Sequence, residues 1–140
     1  HPYFTPPEHT AMAREILGKG PLLAPEQMVV IDTDLDRARR VARASMARYL
    51  RLPNYSNNLL RCGFTQADID DVTNRLVDGI VACGDIGVTI DRVQQHLDAG
   101  ADHVCIQVLV EGNDLDATLA RWRELADAFD LSSASTAPIT

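Results

Sequence analysis

The chain has 140 residues, of which 46% are hydrophobic and 24% charged, and this composition is typical of one globular domain. Its net charge of −7 and isoelectric point near 4.9 exclude a nucleic-acid backbone or an anionic membrane surface as the natural partner. There is no apolar run of about 18 residues, and we expect no signal peptide, no membrane contact and a cytoplasmic location.

The first elements are marked by capping residues. Thr5 followed by Glu8 predicts a helix over 6–17, which Gly18 ends. The residues just before this helix resemble the end of a strand. A β-branched run, QMVVID, then predicts a strand over 27–32.

A second helix and an irregular segment follow. Thr33 and Asp36 form an apparent capping box, which predicts a helix over 34–51 that stops before Pro53. The segment 51–64, RLPNYSNNLLRCGF, is rich in amide side chains. It predicts a loop that serves as a lid or an interface, or else a plain connector between helices.

The second half of the chain continues this alternation. Thr65 and Asp68 predict a helix over 66–83, and the glycines that follow predict a loop between helices with no strand before it. The remaining predictions are a helix over 89–99, a strand over 103–110, a helix capped by Asn113 that ends near Phe129, and a disordered tail over 131–140, which leaves 1–130 as one domain.

The predicted strands are apolar along their whole length and do not alternate with polar residues. This pattern is typical of parallel strands that are covered on both faces. Together with the alternation of strands and helices, it predicts an α/β fold made of repeated βα units.

Several apparent sites are better explained by structure. Cys62, Cys83 and Cys105 form no CxxC pair, so they are interpreted as reduced thiols. His103 and Cys105 share one face of a strand, but no second cluster completes a metal site, and a structural role is favoured. Asp32 begins a calcium-like pattern, but arginines occupy the positions that need glycine and glutamate.

The better candidates lie near strand ends or interrupt apolar runs. His1 and Tyr3 are expected to line a pocket, because sites in barrels of βα units collect at the carboxyl ends of strands. Gln107 lies in the middle of an apolar run and needs polar partners.

Four segments, in order, resemble the luciferase-like monooxygenase superfamily: HPYFTPPEHTAMAREILGKGPLLAPEQMVVIDTD, YLRLPNYSNNLLRCGF, LVDGIVACGD and HLDAGADHVCIQVL. Within it they are most similar to the branch of deazaflavin (coenzyme F420)-dependent oxidoreductases. The resemblance implies the C-terminal part of a (β/α)8 TIM barrel, with about three parallel strands and their helices. It also implies hydride transfer to or from an unidentified small-molecule substrate, with FMN as the alternative cofactor.

The resemblance assigns roles to a few residues. His1 and Tyr3 match positions near the cofactor, which the missing N-terminal half would mainly hold. Gln107, Tyr55 and Asn57 match positions on the substrate side. Because the chain begins at His1 and not at methionine, we expect a fragment that is inactive alone.

A barrel fragment would have two open sheet edges and an uncovered apolar face. We therefore expect it to self-associate as a dimer or higher oligomer. Two alternatives remain open: a non-enzymatic helical interaction module, which would lack the strand at 103–110, and a complete small βα domain with its own function.

Overall fold

The computed structural model describes residues 3–112 and 114–131. Its elements in chain order are α1 (Pro7–Leu17), β1 (Glu26–Ile31), α2 (Leu35–Leu50), α3 (Pro53–Arg61), α4 (Gln66–Asp70), α5 (Asn74–Ile80), β2 (Val81–Gly84), α6 (Ile86–Asp98), β3 (Cys105–Val108) and α7 (Leu115–Ala128).

The three strands form one open parallel sheet in the order β2-β1-β3. In the register of the sheet, Met28 of β1 lies beside Val81 on one side and Gln107 on the other. The expected α/β class with a parallel sheet is therefore confirmed, but β2 was not among the predicted strands, and the strand end expected before Thr5 is absent from the described residues.

Helices cover both faces of this sheet. Met28 and Val30 point toward α2 and join the larger apolar core. Val29 and Ile31 point the other way and pack with residues of α6 and α7. The chain leaves β1 for one edge and then crosses to the other. The connection from β1 to β2 and the connection from β2 to β3 run in opposite directions across the sheet. If both are right-handed, their helices lie on opposite faces, as observed for α2 and α6.

The strand order bears directly on the expected barrel. In a barrel of consecutive βα units β2 would lie between its neighbours in sequence, and every helix would lie on one face of the sheet. Here β1 is central and both faces carry helices. The structure thus has an α/β sheet compatible with part of a larger fold, and a barrel is not confirmed.

The single helix predicted over 66–83 is wrong. Val72 has a positive φ of 45°, and the Thr73 side chain accepts a hydrogen bond from the Leu76 amide, so a new helix begins there. The apolar residues after Ile80 then form β2 instead of a last helical turn.

The loop predicted around Gly84 is also wrong, because a strand does precede it. Gly84 ends β2 with φ 153°, and Asp85 caps α6 by accepting a hydrogen bond from the Val88 amide at 3.2 Å. The predicted helix 89–99 consequently begins earlier, at Ile86.

The irregular segment 51–64 is mostly the helix α3 and not a lid loop. Pro53 occupies its first turn, where a missing amide proton costs nothing, so this proline starts a helix as well as ending the previous one. Leu59 anchors α3 in the main core.

Some of the other predicted helix and strand boundaries are confirmed, and some are wrong. The Thr65–Asp68 capping box and the stop at Gly18 are confirmed. Thr5 is not a helix cap, because Pro6 takes that position without a side-chain bond, and Asp34 rather than Thr33 caps α2. Tyr3 and Phe4 form a bend and not the end of a strand, and the predicted strand 103–110 is shorter.

Some predictions fall outside the described residues: His1, the cap at Asn113, and all of the tail 131–140 except Leu131. The carboxylate that caps α7 belongs to Asp114. None of the described helices combines the length and the apolar character needed to cross a membrane.

Candidate functional site

A cleft opens where β1 and β3 end, at the point where the chain direction across the sheet reverses. The connection that leaves β1 goes to β2 at one edge, whereas β3 lies at the other. In open α/β sheets the carboxyl ends of the two strands that flank such a reversal form a natural crevice for ligands. This crevice is the candidate functional site.

The cleft measures about 610 Å³, within the usual range for small-molecule sites. One wall is the outer face of α2, and the other is the end of β3 with the first turn of α7. A smaller pocket of about 220 Å³ adjoins it directly above the strand ends. The two share five lining residues: Arg37, Val41, Leu109, Val110 and Glu111.

Asp32, immediately after β1, organises the edge of the smaller pocket. Its carboxylate accepts a hydrogen bond from the Asp34 amide at 2.9 Å and two from the Arg37 guanidinium, which spans both oxygens. These bonds hold the pKa of Asp32 below its usual range, the Arg37 contact being the largest cause. The carboxylate therefore remains ionised and engaged.

The remaining charges of the cleft differ in how they are paired. Arg121 is bound to Glu124 at 2.7 Å. Arg40, which lines the larger cleft and is exposed, has no ion-pair or hydrogen-bond partner among residues 3–112 and 114–131. Glu111 lines both pockets near Arg37, whose pKa it helps to raise. The cleft therefore contains one arginine that is available to a ligand.

Two of the predicted site residues lie together on the sheet. The Tyr3 hydroxyl donates to Oε1 of Gln107 at 2.6 Å, and the Met28 sulfur lies 3.1 Å from the same hydroxyl. Burial, followed by the contact with Tyr49, raises the pKa of Tyr3 strongly, so its hydroxyl stays protonated. Gln107 thus has the polar partner that its position requires.

Tyr55 is connected to this pair through aromatic contacts. The Tyr49 ring lies 4.9 Å from Tyr3 and 5.3 Å from Tyr55, and Phe4 packs within the same group. Asn57, the other residue predicted on the substrate side, is exposed on α3 away from the cleft lining. Tyr3, Gln107 and Tyr55 are thus brought into one cluster, and Asn57 is not.

The segment before β3 has a structural role. The Asp102 carboxylate accepts hydrogen bonds from the Leu23 amide at 2.8 Å and from Arg14 at 2.6 Å, which ties α1 to the start of the sheet. His103 precedes the strand and is exposed, and Cys105 is exposed rather than buried. Within the described part of the chain, no group of three or more His, Cys, Asp or Glu could hold a metal ion.

Sequence reasoning missed a buried network of polar side chains that joins α1, α6 and β1. His96 accepts a hydrogen bond from Thr10 at Nδ1 and donates from Nε2 to Gln27, each at 2.9 Å. The Gln27 amide nitrogen in turn donates to the carbonyls of Met28 and Ile80, which fixes the side-chain orientation and the histidine tautomer. Burial lowers the pKa of His96 to about 4, so the ring is neutral at pH 7.

Sequence reasoning also missed the cleft. Arg40 belongs to a run of arginines on one face of a helix, and nothing local distinguishes it from the others. Whether Arg40 is free to bind a ligand depends on which arginines of α2 the fold places beside carboxylates.

Comparison with known proteins found no family model, no curated protein and no solved structure that matches this chain.

Proposed function

We propose that the chain is the C-terminal part of a deazaflavin (coenzyme F420)-dependent oxidoreductase of the luciferase-like monooxygenase superfamily. The parent protein would transfer a hydride to or from a small organic substrate. FMN is the alternative cofactor, and either would be held mainly by residues that precede this chain.

The observation that carries this proposal is the convergence of the segments on which the resemblance rests. Tyr3 comes from the first segment, Tyr55 from the second and Gln107 from the fourth. They meet in one cluster on one face of the sheet. In the proposal this cluster is one wall of the substrate site, and residues that precede this chain would supply the other walls.

The bound deazaflavin would supply the two-electron hydride chemistry. The residues of this chain would orient and enclose the substrate. The aromatic rings exclude water, and the protonated Tyr3 hydroxyl with Gln107 offers a fixed polar contact on an otherwise apolar wall. Asp32 is engaged by Arg37 and is not proposed as an acid or base.

A barrel in the parent protein is part of the proposal. It requires β2 to lie between β1 and β3, whereas in this chain β3 pairs with β1. To reach the barrel order β1-β2-β3 in the longer protein, β3 would have to leave β1 and pair with β2. The proposal therefore predicts that β2 lies between β1 and β3 in the longer protein.

The decisive experiment uses the protein encoded by the complete reading frame. Titration with oxidised coenzyme F420 and, separately, with FMN, followed by visible absorbance and fluorescence, is expected to show saturable binding of one of them. If neither binds, the oxidoreductase proposal is wrong. The present chain alone is expected to show no hydride transfer, since it would provide only part of the site.

The all-helical module is a weaker alternative, because the chain contains three parallel strands with β1 buried. Two further expectations belong to the proposal: a cytoplasmic location, and self-association of this chain through an open strand edge. A monodisperse monomer in light scattering would contradict the second.

A further inference from the structure

We infer that the cleft between α2 and β3 binds a small organic anion with a flat apolar body, whose anionic group is held by Arg40. This inference concerns the chain as it is folded here and does not depend on the oxidoreductase proposal.

The shape of the cleft comes from incomplete coverage of the sheet. α2 packs over β1 and β2, while α7 packs on β3 from the opposite face. Between α2 and α7 the chain from Val108 to Gly112 forms the floor of a trough. The trough has walls on both sides and a volume of about 610 Å³.

The lining favours an apolar ligand body. Val41 and Ala44 of α2 face Leu109 and Leu115 across the cleft, and both Val41 and Leu109 also pack against the main core. Apolar side chains on both walls favour a ligand with hydrocarbon surface, because the water that such a ligand displaces there has few hydrogen-bonding partners.

The charges favour an anionic group at one position. Arg37 is occupied by Asp32 and Arg121 by Glu124, whereas Arg40 has no partner within the described residues. A guanidinium can bind a carboxylate or sulfonate through two parallel hydrogen bonds. Glu111 also lines the cleft and would repel an anionic group placed beside it, which favours an orientation with that group on Arg40.

The test is titration of the isotopically labelled chain with 2-naphthoate, followed by amide chemical shifts. Saturable shifts are expected at Val41, Ser45 and Gly112, residues that line the cleft. The uncharged 2-naphthamide has the same ring system, and we expect it to bind at least about 10-fold more weakly, since it cannot form the charge-assisted pair.

Matched variants separate charge from shape. Arg40→Gln is expected to weaken 2-naphthoate binding about 10-fold and to leave 2-naphthamide binding unchanged. Arg123→Gln removes an exposed arginine of α7 that does not line the cleft, and it should have no effect. Ala44→Leu, which fills the cleft while keeping every charge, should weaken both ligands.

Three results would overturn the inference. They are shifts scattered outside the cleft, equal affinities for 2-naphthoate and 2-naphthamide, and equal losses in Arg40→Gln and Arg123→Gln. The chemical-shift spectrum of each variant reports directly whether it is folded. A failure of cofactor binding in the longer protein would leave these measurements unaffected, so the two proposals can fail separately.

Discussion

The two edge strands of the sheet are covered very differently. All four residues of β2 are buried, whereas in β3 Cys105 is exposed and the other three residues are half-buried. Within the described residues α2, α5 and α6 all pack against β2, while α7 provides the main helical packing on β3. Arg92 adds hydrogen bonds to the carbonyls of Asp78 and Gly79, just before β2.

This difference shows that the molecule has a closed side and an open side. Two open edges are expected for a fragment of a barrel, but the side chains of β2 are sealed by its helices. The cleft and the exposed strand edge belong to the β3 side, and so does Arg40, which has no partner in the described part of the chain. Binding and association are therefore expected there, and most of the stability is expected on the β2 side.

The largest expected effect concerns strand order itself. Glu26 and Cys105 are register partners in the parallel pair, and neighbouring parallel strands lie about 4.8 Å apart. Glu26→Cys with a short thiol cross-linker such as dibromobimane should give nearly complete intramolecular cross-linking, detected by mass spectrometry. Adding Cys105→Ser should abolish it.

The same cross-link tests the barrel in the longer protein. There β3 would lie beside β2, so Glu26→Cys should not cross-link to Cys105. Efficient cross-linking in that protein would contradict a barrel order.

The next effect compares equal substitutions on the two sides. Ile80, beside β2, is 2% exposed, and Ile106 of β3 is half-buried. Ile80→Ala should lower the free energy of unfolding by about 3 kcal/mol, and Ile106→Ala by about 1 kcal/mol, because only the first leaves a closed cavity. Urea unfolding measures both, and equal losses would refute the contrast.

A pH effect is expected from His96, which is buried on the closed side. Its pKa is lowered from 6.5 to about 4, by burial first and by the charge of Arg92 second. Between pH 6.5 and 4 His96 is protonated in the unfolded chain but neutral in the folded one. The stability that the neutral, buried His96 contributes is therefore present above pH 6.5 and is lost as the pH falls toward 4.

The measurement is the melting temperature between pH 7 and pH 4. His96→Gln should be less stable at pH 7, because a flexible amide replaces the buried ring that joins Thr10 to Gln27, but its curve should be flatter between pH 6.5 and 4. A variant curve parallel to that of the unchanged protein would assign the pH dependence to other groups.

The smallest expected effect concerns association at the open edge. Cys105→Lys places a charge at the exposed start of β3 and should weaken the proposed self-association several-fold with little change in stability, because lysine at a strand edge opposes pairing. Sedimentation velocity measures it. Asn57→Lys adds the same charge on exposed α3 and serves as the control; equal effects would point to net charge alone.

Local signals predicted the first half of the chain well and the middle poorly. The β-branched run of β1 and the helix after it were recognised within one or two residues. β2 was missed because Ile80 and Cys83 continue the helical spacing of Ile69, Val72 and Leu76. A short apolar run after a helix fits both periods, and only pairing with β1 makes it a strand.

The candidate site divides in the same way. The need of Gln107 for a polar partner follows from its place in an apolar run, but the partner, Tyr3, lies 104 residues away. The cleft could not be predicted, because it lies between α2 and the end of β3, and the sequence does not show that these two elements are neighbours. Arg37 meets the Asp32 carboxylate, whereas no carboxylate among the described residues pairs with Arg40.

By itself the sequence determined the α/β class, the presence of β1 and β3 and the limits of α1 and α2 to within one residue, because capping and hydrophobic periodicity act over a few residues. Tertiary structure alone decided that β1 is central, that one edge is sealed while the other is open, and that a cleft beside β3 is lined by Arg40, which has no partner among residues 3–112 and 114–131. These features depend on which distant surfaces meet, and that choice is made by burial summed over the whole chain.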